Sequence, residues 1–136
     1  LKGNNMFSRA CVFEGAMERQ ARVGDGWLAN PLVTTNAASG NQSITVAMIA
    51  GGSGVFTGAA GAVNLTFPTA SDILAAFPQM DIGDSLVCSL TNTAAQAATF
   101  VANTGNTLAG FATTNANTRW AIITKTAATT TTITII

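Results

Sequence analysis

Apolar and polar residues alternate along most of the second half of the chain. From Ser85 to Asn92, Leu86, Cys88 and Leu90 fall on one side and Ser85, Val87, Ser89 and Thr91 on the other. That period of two is the pattern of a half-buried strand. Arg119 to Lys125 repeats it, with Trp120, Ile122 and Thr124 opposite Arg119, Ala121, Ile123 and Lys125. The side shared by Trp120 and Ile122 reads as the core side. Ala98 to Ala102 and Thr107 to Thr113 give shorter strands, ended by Asn103-Thr104-Gly105-Asn106 and by Asn115-Ala116-Asn117. Thr129 to Ile136 is a β-branched run without a breaker. Ile44 to Ile49 reads as the first strand, with Ile44, Val46 and Met48 against Thr45, Ala47 and Ile49. Turn residues recur at intervals of about 8 to 12, which favours an antiparallel sandwich or jelly roll over a parallel sheet.

Between Leu65 and Thr93 the pattern changes. Pro68 stops a strand, because proline cannot donate to a ladder. Thr69 then caps a helix, with Asp72 three residues on in place of the usual Glu of a capping box and close to the positive end of the dipole. Ile73, Leu74 and Phe77 share one side of two turns, and Pro78 blocks continuation. So short a helix is not stable alone and must pack on a larger body. The predicted fold is mainly β: an antiparallel sandwich or jelly-roll-like domain with one short helix and an N-terminal arm.

The order of these residues resembles a recurrent domain of tailed-bacteriophage virion proteins. The elements that carry the likeness are Thr66-Phe67-Pro68-Thr69-Ala70, the short apolar helix from Ile73 to Phe77, Gly83-Asp84-Ser85, Asn92-Thr93, and Gly105 and Gly110. The likeness runs from Gln42 to Ile136 and rests on architectural residues, not on a catalytic signature. Such domains occur in capsid decoration (cement) proteins and in head or tail fibres. The resemblance implies a compact β-domain, usually trimeric, on the outside of a virion, made in the host cytoplasm. It divides the chain into an arm or attachment region at 1–41 and a β-sandwich trimerisation domain at 42–136. The implied partners are the major capsid protein and the chain itself. The competing expectation is a receptor- or glycan-binding module of a fibre, which would cluster exposed aromatics such as Trp27 or Phe56 beside Asn residues on loops. The lack of any Tyr weighs against it.

Charge sharpens the division. The 136-residue chain has zero net charge and only 9% charged residues, against roughly 25% in ordinary soluble domains. A free monomer so poor in charge is weakly protected against association, which suggests that much of its surface is covered in an assembly. Lys2, Arg9, Glu14, Glu18, Arg19, Arg22 and Asp25 crowd the start of the chain, and the next charge is Asp72. Glu18 and Arg22 have the spacing of a helical pair, yet the apolar stripe there is incomplete, so a helix and an extended arm both stay open. Read as an arm that grips a shell, this region offers Phe7, Arg9, Phe13, Arg19, Arg22 and Trp27 as capsid contacts; read blandly, it is a strand and loops of the same domain.

Reactive chemistry finds little support. Without His, neither a Ser-His nor a Cys-His pair can form, and two cysteines are too few for a Cys-only zinc site. Cys88 reads as a small core hydrophobe and both it and Cys11 are expected reduced, as in a protein assembled in a reducing cytosol. Asp72 and Asp84 read as a cap and a corner residue, not as the paired acids of a glycosidase. Asp81 with Asp84 offers too few oxygens for a calcium site. Gly51 to Gly61 lacks the Gly-Lys-Ser/Thr ending of a phosphate loop and is expected to be a surface loop or wide hairpin. Arg119 and Lys125 are the only basic residues after Arg22, too few to bind nucleic acid. No run is long and apolar enough to span a membrane, and no basic-then-apolar leader is legible. The expectation is a protein that assembles, with no enzymatic activity, metal or cofactor.

Overall fold

Every strand but the last two leads into a corner that sends the chain to the opposite sheet, and only the last two strands fold back on one another. The structure, a computed structural model, describes residues 32–136. β1 (Leu32–Asn36) enters a six-stranded sheet and β2 (Gln42–Ser43) a four-stranded one. Helix α1 (Val46–Gly51) returns the chain to β3 (Gly52–Phe56) beside β1, and β4 (Val63–Thr66) lies beside β2. The second circuit closes through α2 (Ala70–Ala76), and β5 (Ser85–Asn92) and β6 (Ala98–Val101) begin a third. β7 (Asn106–Gly110), β8 (Thr113–Thr114), β9 (Asn117–Ala127) and β10 (Thr130–Ile135) complete the two sheets. Their orders are β1-β3-β5-β9-β10-β7 and β2-β4-β6-β8.

The domain is mainly β, but its sheets are mixed. β1–β3, β3–β5, β10–β7, β2–β4 and β4–β6 run parallel, whereas β5–β9, β9–β10 and β6–β8 run antiparallel. The wholly antiparallel expectation is therefore corrected. Parallel neighbours need a crossover connection, and in every parallel pair but β7–β10 the crossover is a strand of the opposite sheet plus a short helix. The stacking continues around the corners: Thr57 N donates to Asn36 O and Thr93 N to Phe56 O, both at 3.0 Å. The sheet also begins at Leu32, before the expected boundary at Gln42, because β1 pairs with β3 along its whole length.

Two helices stand where one was expected. In α2 the Thr69 hydroxyl accepts from Asp72 N at 3.1 Å and donates to Asp72 Oδ2 at 2.8 Å, as its sequence predicts. Residues 44–49, expected as a strand, instead lead into α1: Thr45 caps it by accepting from Met48 N at 3.2 Å. Its buried positions are the adjacent Met48 and Ile49, which a strand would turn to opposite faces. The helix ends at Gly52, which takes the left-handed conformation at φ 85°.

The glycine-rich span is a second correction. Gly52 to Phe56 is a central strand, not a surface loop, with Gly54 and Phe56 turned inward. A Cβ on Gly54 would stand 2.8 Å from Met48 Sδ and 3.3 Å from Leu90 Cδ2. Glycine at that position makes room for α1 on the sheet. One core fills the space between the sheets, built from Phe56, Cys88, Leu90, Ile123 and Ile133 on one side and Val63, Leu65 and Phe100 on the other. Ile44, Met48 and Ile73 bring both helices into it.

Candidate assembly surface

Four of the five described charges are engaged locally: Asp72, Asp84, Arg119 and Lys125. Asp72 is tied to its own cap. Asp84 Oδ2 accepts from Asp81 N at 2.8 Å and closes the corner before β5, the role its sequence suggests. Lys125 lays its stem along the inner side of β9 and its Nζ donates to Met80 O at 2.7 Å. At the other end of the strand, the Arg119 guanidinium carbon stands 4.0 Å over the Phe111 ring, and its Nε donates to Thr113 O at 3.4 Å. Among the described residues, no three His, Cys, Asp or Glu side chains gather to hold a metal ion, and no helix is long and apolar enough to cross a membrane.

Cys88 is fully buried on β5. Burial pushes its thiol up to about 12 from an ordinary value of 9.0, because the thiolate would lose its hydration in the core. Stability from this group is complete below pH 9.0 and is lost as the pH rises through about 12. Cys88 is an inert packing residue at neutral pH. Cys11 and the expected capsid contacts Phe7, Arg9, Phe13, Arg19, Arg22 and Trp27 lie outside the described residues. A cleft of about 350 Å3 opens beside the end of α2, lined by Ala76, Phe77, Gln79, Met80, Asp84, Ser85 and Leu86. Its only carboxylate, Asp84, is already engaged at the corner.

The feature that sequence reasoning placed wrongly is Trp120. It is 49% exposed, on the outer face of the six-stranded sheet, while its neighbours Ala121 and Ile123 are fully buried. Alternation along β9 was legible, but both faces carry isoleucine, so hydropathy does not say which turns inward. Arg119 and Lys125 pointed the other way, yet both occupy the inner face at its ends, where their heads reach backbone oxygen. The pairing of Ser89 with Trp120 and of Val87 with Ile122 puts the tryptophan and two aliphatic side chains side by side outside. Val87 is 53% exposed.

This outer face carries no Asp, Glu, Lys or Arg on any of its strands. Eight of its hydroxyls bond in pairs across the strands: Ser85 with Thr124 and Thr91 with Thr118 at 2.7 Å, Ser89 to Ser53 at 3.0 Å, and Thr126 with Thr130 at 2.9 Å. A hydroxyl that is already bonded costs less to remove from water than a bare one. The face is therefore chemically suited to burial, although it is rich in polar residues. No family model, curated protein or solved structure matches this chain.

Proposed function

We propose that the chain is a structural virion protein: a capsid decoration (cement) protein that assembles as a trimer on the outer capsid surface and bridges major capsid subunits. The observation that carries this reading is the division of labour within the domain. Asp72, Asp84, Arg119 and Lys125 hold a helix cap, a corner and the ends of a strand, and the domain also presents a charge-free sheet face suited to burial. The resemblance in residues 42–136 supports the same conclusion, and the charged residues before Asp25 supply a region to grip the shell. The action is mechanical and has no chemical step. Apolar contact contributes about 25 cal/mol per Å2 before the entropy of association is subtracted. Many symmetric copies make modest single contacts sufficient through avidity.

Exposed Trp120 beside serine and threonine hydroxyls favours a second reading, a glycan-binding module of a phage head or tail fibre. The readings divide on self-association and ligand. Light scattering of the purified full chain at micromolar concentration is expected to give the mass of three chains, and a glycan array no hit. A clean monomer, or a saturable glycan hit that Trp120→Ala abolishes, contradicts the decoration reading.

A further inference from the structure

We infer that the outer face of the six-stranded sheet is where copies of this chain meet, with Trp120 as the anchor of that contact. The inference rests on the assembly reading above and names its surface and its occupant. Two adjoining rows define the centre of the face. Ser89, Trp120 and Ile136 form one, through the β5–β9 pairing and the mutual backbone bonds of Trp120 and Ile136 at 3.0 and 2.9 Å. Val87, Ile122 and Thr134 form the next. Trp120, Val87 and Ile136 are each about half exposed, so a cluster of large apolar groups faces outward at one place. A patch of this kind marks an interaction site and not ordinary surface scatter.

The chemistry selects a second copy as the partner. Close to a symmetry axis a residue meets its own equivalents, so a charge at the centre of the face would meet a like charge. A face without a single charged side chain meets that condition, and the described charges all lie elsewhere. To a partner of different sequence the face offers no complementary charge for selection. The paired hydroxyls lower the other penalty, because one proton and one lone pair of each pair are already engaged when water leaves. Size agrees as well. Six strands at about 4.8 Å spacing, with about three outward positions per strand on average, give a face on the order of 600 Å2 in projection. Accessible area exceeds projection, so this approaches the roughly 800 Å2 per partner of a standard interface. In a trimer the three sheets would enclose the axis, each face touching both neighbours.

The test uses the full chain and single charges. Val87→Lys and Trp120→Lys place charge on the face, and each is expected to weaken self-association by about 30-fold or more, the scale of a central anchor residue. Ile82→Lys is the control: Ile82 is 68% exposed at the corner before β5, off the face, and its variant should assemble like the native chain. Unchanged circular dichroism and thermal melting at low concentration show that the variants fold. A photo-crosslinking p-benzoylphenylalanine placed at Val87 should join two chains, with the adduct on the same face of the second copy. If the native chain is oligomeric and both lysine variants remain so, the face is the wrong one and the assembly reading stands. If the adduct lies within one chain, on residues 1–31, that segment and not a second copy covers the face. A monomeric native chain overturns this inference together with the assembly reading.

Discussion

Phe56→Ala is expected to lower the unfolding free energy by about 3–5 kcal/mol, the range for deleting a buried aromatic ring. Phe56 is 1% exposed and lies in the core between the two sheets. Its strand stands between β1 and β5, with Asn36 and Asn92 as its partners in register. A cavity there would be walled by strands of both sheets and could not collapse without disturbing the stacking. If residues 51–61 were a surface loop, the same change would cost under about 0.5 kcal/mol. Urea unfolding of the variant beside Phe111→Ala, which removes a ring that is 55% exposed, measures the difference. A midpoint shift as small as that of Phe111→Ala would contradict the placement of β3 in the core.

Gly105→Val should be nearly as damaging, at about 2–5 kcal/mol, for a different reason. Gly105 has φ 83°, and a Cβ there would stand 2.8 Å from Ala70 Cβ and 3.0 Å from Thr129 O. The left-handed backbone costs a β-branched residue about 1–3 kcal/mol and overpacking costs a similar amount. The position matters because this turn locks the corner before α2. Asn103 Nδ2 donates to Phe67 O at 3.2 Å and Asn106 Nδ2 to Pro68 O at 2.7 Å. Ala70 N donates to Thr104 O at 2.9 Å, and Thr131 N to Gly105 O at 3.1 Å. Gly61→Ala is the comparison, since nothing lies within 4 Å of its added Cβ and its φ is not positive; it should stay within about 0.5 kcal/mol of the native chain. Thermal or urea unfolding distinguishes the two, and equal stabilities would contradict the packing of the turn against α2.

These turn residues explain how much the sequence could tell. Thr69, Asp72 and Pro78 bound α2 because capping and proline geometry act within a few residues. The strands at 85–92, 98–101 and 130–135 were legible from alternation and branching for the same local reason. Pairing was not. A turn that folds a strand back on its own sheet and a corner that passes it to the opposite sheet use the same residues, so turn spacing did not distinguish antiparallel from parallel neighbours. Ile44 to Ile49 alternates as a strand would, and only Thr45 near its start and the glycine pair at 51 and 52 mark a helix. Those signals match the Thr69 cap of the next circuit, and comparing the two circuits could have found α1.

The glycines misled through what they leave out. Gly54 reads as flexibility in one dimension, whereas in the fold it is the space that Met48 occupies. Trp120 misled in the opposite direction. A tryptophan flanked by isoleucines reads as core, and its exposure follows from which side of β9 faces Cys88, Leu90 and Ile133. That is a tertiary fact.

The central claim is that this chain decorates a capsid, and binding to capsids that lack it tests that claim most directly. The account predicts saturable binding of the full-length protein to the shell exterior, retained after washing, with a rise in the temperature or force at which the shell opens. Capsids that take up none of it at micromolar concentration, in conditions where it is a trimer, would contradict the account.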